Sequence, residues 1–209
     1  MHTEAIIRNS KYRYTVRMDS GDVLPMSGKD ILLYDLREGQ EVSEEVWSEM
    51  LRSVRRDCLR RCGSLLGKRD YSGRRLRQKL TEAGYPAGII EEVIRDLLED
   101  GYIDDRRIAE NYVRIHIKDR SRRRILTDLT RLGIGEETAL EVMEEIREEA
   151  EDPEVRQIRE LMRKRGFDPA AASAQERGRF MSFLYRRGYE TDSIWRAIRL
   201  AESAEESFT

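Results

Sequence analysis

Arginine is the side chain with the most chemistry to offer in this sequence. Its planar guanidinium grips phosphate or carboxylate through two parallel hydrogen bonds, which a lysine ammonium cannot do. Of the 39 basic residues, 33 are Arg and six are Lys. A compositional bias of the source genome accounts for an excess of this kind, but not for its clustering. Three clusters are the candidate anion-binding residues. The first is Arg74, Arg75, Arg77 and Lys79; the second is Lys118, Arg120, Arg122, Arg123, Arg124 and Arg131; the third is Arg177, Arg179, Arg186 and Arg187. Contacts from such groups to phosphates position a protein on nucleic acid without reading sequence. The competing reading is a set of solvated helix faces paired with Asp and Glu.

Catalysis finds no support in the spacing of the other reactive residues. Asp104-Asp105 reads as a helix N-terminus, where acids are favoured, and not as a pair of catalytic acids. The sequence has no Gly-rich phosphate loop, no nucleophile elbow and no His-Glu-x-x-His, so no enzymatic activity is expected. Cys58 and Cys62 lie four apart and share a helix face. A metal site wants about four ligands, and nothing places His2 or His116 beside them. Buried free thiols are expected, with no metal and no cofactor. Tyr71, Tyr85, Tyr102 and Tyr112 offer faces for base stacking, although such aromatics more often pack cores and junctions.

The formal net charge of −2 excludes a protein that is basic throughout, but the charge is segregated. Arg52 to Lys79 contains eleven basic and two acidic residues, while Glu136 to Glu154 contains ten acidic residues and one basic. Such patches act over about 8–10 Å at physiological salt, so a basic face and an overall acidic chain coexist. Residues 1–10 contain no apolar run long enough for export, and no run approaches the ~20 residues of a membrane span. A cytoplasmic protein is expected.

These residues need elements to hold them. Tyr12, Tyr14, Val16 and Met18 alternate with polar residues, the period of a strand. Asp19–Asp22 is a turn, and Val23–Met26 a second strand that Pro25 confines to an edge. This predicts a small β-hairpin, with a short helix over Lys29–Tyr34. Two strands are marginal alone, so the hairpin must pack on something. From Ser43 onward the pattern is helical. Ser43 and Ser72 are good N-caps, Gly84 supplies a left-handed C-terminal residue, and Pro86 fits the start of the next helix.

The same pattern recurs three times. Counting from Gly84, Gly133 and Gly188, the residue four before is Leu80, Leu129 or Leu184. Eight before stand Leu76, Ile125 and Phe180, and ten after stand Ile94, Met143 and Ile198. Each unit reads as a long helix, a short helix ended by glycine, and a third helix. The predicted organisation is residues 1–42 as hairpin and short helix, then repeats over 43–103, 104–151 and 152–209. The expected fold is mainly α: a tandem array of three three-helix modules forming an elongated, curved molecule.

The ordered segments resemble the RecX family of bacterial regulators of the RecA recombinase. Leu65 to Leu80, with Ser72 and its paired leucines, is similar to the family's first-repeat opening, and Gly84-Tyr85 and Ile90 to Leu97 continue it. Asp100 to Ala109 is similar to the family's Gly-Leu-(Leu/Ile)-Asp-Asp-x-x-Phe-Ala segment, with Ile108 where an aromatic is usual. The hairpin followed by Leu36 to Gln40 is similar to longer members. The loop Arg120–Arg123 lacks a glycine often found there, and the third repeat is divergent.

The resemblance implies a monomer lying along the groove of the RecA–single-stranded-DNA filament. It implies inhibition of strand exchange, filament growth and co-protease function in DNA repair and the SOS response. Two other readings stay open. One is a sequence-tolerant DNA-binding protein with no recombinase partner. The other is a helical adaptor whose acidic stretch Glu136–Glu154 binds a basic partner.

Overall fold

The computed structural model describes residues 1–148 and 152–206 and separates into two compact units, Met1–Asp104 and Asp105 onward. Residues 149–151, within the expected acidic stretch and at the end of the expected second repeat, lie outside the described residues, as do 207–209.

The first unit opens with an antiparallel sheet of β1 (Thr3–Arg8), β2 (Arg13–Met18) and β3 (Val23–Ser27), in that order. The alternation in β2 buries Val16 and Met18, and Val16 pairs with Leu24 across the ladder. Pro25 lies in β3, an edge strand where a missing N–H is tolerated. Strand β1 extends the expected hairpin to three strands. Its Ala5-Ile6-Ile7 run carries no alternation and gave no period-two signal.

Helix α1 (Gly28–Leu33) follows at once, with Ser27 and Asp30 forming a reciprocal capping box. Helix α2 (Glu44–Leu66) is capped by Ser43 and buries Met50, Val54, Cys58 and Cys62, one per turn on a single face. Helices α3 (Gly73–Glu82) and α4 (Ala87–Glu99) complete the first module. One core runs through sheet and helices, from Val16 to Ile103. The sheet is therefore secured by the apolar face it shares with α2, which answers its marginal stability alone.

The second unit holds the other two modules: α5 (Asp105–His116), α6 (Arg122–Leu132), α7 (Glu136–Glu148), then α8 (Pro153–Arg165), α9 (Ala174–Arg186), α10 (Thr191–Glu206). Each has its own core, around Ile125, Leu129 and Val142 in one and Ile158, Leu184 and Ile194 in the other. The equivalent glycines Gly84, Gly133 and Gly188 have φ of 82°, 88° and 86°. All three copies thus leave the middle helix through the left-handed region, which glycine enters without Cβ strain.

Modules two and three meet through buried polar groups. Ser121 stands at the N-cap of α6 but makes no side-chain cap; its hydroxyl donates to the Arg187 carbonyl at 2.8 Å. The buried Glu154 carboxylate accepts from the Arg122 N–H at 2.6 Å and the Glu190 N–H at 3.1 Å, tying the starts of α6 and α10 together. Gln157 donates to the Ile117 carbonyl at 2.8 Å and accepts from the Tyr189 hydroxyl at 3.0 Å.

Candidate nucleic-acid interface

The arginines fall into positions counted from the three helix-ending glycines. Nine residues before the glycine stand Arg75, Arg124 and Arg179, all exposed. This position is basic in every copy, early on the middle helix of each module. Ten before stand Arg74, Arg123 and Gly178; two before stand Glu82, Arg131 and Arg186. Eleven before stand Gly73, Arg122 and Arg177, so the recurrence among the candidate residues narrows to one fully repeated position and three partly repeated ones.

The clusters differ in how far their charges are already engaged. In the first, the Arg77 guanidinium Nε donates to Glu91 at 2.9 Å, and Lys79 pairs with Glu82 at 3.1 Å. The exposed Lys79 ammonium lowers the Glu82 carboxyl. Arg75 reaches Gln78 at 3.2 Å, and Arg74 is exposed.

The second cluster is gathered around an acid. Asp128 takes Arg120 at 2.8 Å, Arg124 at 3.1 Å and Arg131 at 3.7 Å. Arg120 also donates to the Tyr112 hydroxyl at 2.5 Å. Burial alone would raise the Asp128 carboxyl, but Tyr112, Arg120 and the neighbouring guanidinium charges outweigh it and hold the group below its ordinary value. Arg122 lies between Glu144 at 3.0 Å and Glu190 at 3.4 Å, and lowers the Glu144 carboxyl. Arg123 and Lys118 are exposed.

In the third cluster, Arg177 donates to the Ala172 carbonyl at 3.2 Å and pairs with Glu202 at 3.4 Å. The Arg187 guanidinium lies 4.7 Å from the Phe183 ring centre, and Arg179 and Arg186 are exposed.

Comparison with known proteins places this geometry. Family models for the first, second and third three-helix domains of RecX match residues 58–97, 104–143 and 152–198. A regulatory protein RecX of Trichlorobacter lovleyi is 34% identical over 142 residues, covering 66% of this chain and 91% of its own. The chain belongs to the RecX family. A regulatory protein RecX of Caldanaerobacter subterraneus subsp. tengcongensis is 24% identical over 204 residues, covering 95% of this chain and 98% of the relative.

Two crystal structures have the same fold. One of a regulatory protein RecX has a TM-score of 0.59 at 19% identity, covering 95% of this chain and 98% of that one. RecX from Lactobacillus salivarius has a TM-score of 0.56 at 18% identity, covering 71% and 96%. The family bears the name of regulatory proteins.

In this RecX-family chain Cys58, Cys62 and Tyr85 lie in the core of the first unit. Cys58 and Cys62 are free and buried. Their mutual hydrogen bond, and then burial, push the Cys58 thiol up, away from the reactive thiolate. Tyr85 is buried with its hydroxyl 2.7 Å from Asp57, and burial followed by that contact raises its phenol. Tyr71 carries Arg69 over its ring, while Tyr102 is exposed. Asp105 lies in the first turn of α5.

Among the described residues no group of three or more His, Cys, Asp or Glu is placed to hold a metal ion. No described helix is long and apolar enough to cross a membrane. The residue that sequence reasoning overlooked is Asp128. Its spacing from Arg124 is i, i+4 and from Arg131 i, i+3, a pattern that signals pairing on one helix face.

Proposed function

We propose that this RecX-family protein binds the RecA–single-stranded-DNA filament along its groove and restrains recombinase activity, filament growth and co-protease function. The supporting observation is the arginine repeated at one position of each module, Arg75, Arg124 and Arg179, exposed in all three. Such contacts are individually weak. Linked on one chain, they reach useful affinity only where anionic sites repeat, because each later contact is intramolecular. The fourteen candidate residues of the three clusters are the proposed interface, with Arg120 and Arg122 shaping it and the exposed members touching the target.

The test is RecA ATPase rate and filament length on single-stranded DNA with added protein. A fall in both at micromolar protein is expected. No change in either would refute filament binding, and equal affinity for bare DNA would favour a DNA-binding protein without a recombinase partner.

A further inference from the structure

The third module carries an aromatic groove at the edge of its core. Counting five back from the glycines, the three modules have Lys79, Asp128 and Phe183. The position is charged and polar in two copies and aromatic in the third. Phe183 is half-buried, and two guanidinium groups lie against its ring, Arg165 at 3.9 Å and Arg187 at 4.7 Å. Beside it Phe180 stacks on Phe167 with centroids 4.1 Å apart and planes 12° from parallel. Phe180 and Phe183 are 6.0 Å apart. Where the first two modules use Leu76 and Ile125 to fill the core, the third uses Phe180.

These rings floor a groove of about 470 Å³, with Arg165 and Arg179 also lining it. That volume lies within the range of roughly 300–1,000 Å³ typical of sites for small planar ligands. Two acids face the groove, and both are occupied. Glu176 accepts from the Ser173 hydroxyl at 2.6 Å and from its N–H at 2.9 Å, and Asp168 accepts from the Ala170 N–H at 2.8 Å. Arg179 is the arginine repeated in every module. A flat apolar floor, a layer of guanidinium on aromatic, and a cation at the rim together match an unpaired base with its phosphate.

We propose that this groove binds an unstacked nucleobase of single-stranded nucleic acid, with the base against the Phe–Arg layer and its phosphate at Arg179. The choice of ligand rests on the nucleic-acid reading above. The first two modules contribute phosphate contacts, and the third adds a contact that senses whether bases are free.

The test compares oligo-dT with an abasic strand of equal length, by fluorescence anisotropy on the full chain. Wild type is expected to bind oligo-dT more tightly. Phe183→Leu keeps apolar volume without the ring, and should lower oligo-dT affinity by about five- to 150-fold, the range for losing one stacked base. It should leave abasic binding and the salt slope unchanged. Phe183→Tyr should retain the preference, and Arg165→Ala, at an exposed position, should reduce it without threatening the fold. Equal binding of both strands by wild type, or an undiminished preference in both Phe183→Leu and Arg165→Ala, would overturn the proposal while leaving filament binding intact. Failure of wild type to bind any strand or the filament would overturn both.

Discussion

Replacing Arg75, Arg124 and Arg179 together with alanine removes the one basic position common to all modules. All three side chains are exposed, and substitution at such positions changes stability by about 0.5 kcal/mol or less. Each has an acid in its field, but Asp128 still keeps Arg120 at 2.8 Å, Glu82 keeps Lys79 at 3.1 Å and Glu176 keeps the Ser173 hydroxyl at 2.6 Å. The fold should therefore survive. Each phosphate contact on a single strand contributes about 0.7 to the slope of log affinity against log salt, so losing three should cut the slope by about two. Near 0.1 M salt the same relation gives about a hundredfold weaker binding. The measurement is anisotropy of a labelled single strand across a salt series, alone and coated with RecA, with a thermal melt to confirm folding. Arg37→Ala, Arg95→Ala and Arg199→Ala combined, also at exposed positions, serve as the control and should leave the slope unchanged. A folded triple variant with the wild-type slope would refute the claim that the repeated arginine contacts phosphate.

Gly188→Ala should destabilise the second unit by more than the ~1–2 kcal/mol of left-handed backbone strain alone. A Cβ there would meet Ser121 Oγ at 3.0 Å and Arg123 Cβ at 3.2 Å, whereas at Gly166, also left-handed at φ 60°, it meets nothing. Chemical denaturation should rank Gly188→Ala well below Gly166→Ala; equal losses would refute the tight junction. Burial raises the Glu154 carboxyl above its ordinary 4.5, more than the bonds from Arg122 and Glu190 N–H lower it. An acid raised on folding binds its proton more tightly in the native state, so its stabilising contribution is full below 4.5 and is lost as pH rises through the raised value. Asp128 and Glu144 are lowered, and their contributions are lost only at more acid pH, as pH falls through their folded values. Calorimetry as pH is raised from 4.5 should therefore show a loss of stability in wild type that is flattened in Glu154→Gln. Parallel profiles would sink this assignment.

The repeat was legible because helix-ending glycines and the leucines four before them obey steric rules that act locally. Gly84, Gly133 and Gly188 need the left-handed region, and Leu80, Leu129 and Leu184 need the core, wherever the modules lie. Strand β1 was hidden because its partner, β2, had already been paired with β3 by the alternation, and Thr3–Arg8 has no alternation of its own. The site was legible as clusters but not as pairings. Glu91, which holds Arg77, comes from α4, and Glu190, which faces Arg122, from the connection before α10. Sequence spacing carries no trace of such contacts. Ser121 is the clearest case: its type and place read as an ordinary cap, but its hydroxyl is spent on the Arg187 carbonyl of the next module.

The second cluster then divides by the strength of what already holds each arginine. An exposed ion pair is worth about 0–1 kcal/mol, so it exchanges readily for a phosphate whose counterions are released on contact. Arg124 and Arg131 are of this kind, with side chains 56% and 67% exposed against a shared Asp128. Arg120 and Arg122 are not. Arg120, 33% exposed, bonds both Asp128 and Tyr112, and Arg122, 25% exposed, spans Glu144 and Glu190. Reversing the charge of Arg122 would set a third acid between two, beside the buried Glu154, and would break the junction before it reported on any partner. Neutralising Arg123, Arg124 and Arg131 removes three positive charges from the surface and leaves the ion pairs of Arg122 with Glu144 and Glu190 in place. The physical distinction is between arginines that neutralise the fold and arginines that the fold holds out to solvent, and only the second kind carries information about the target.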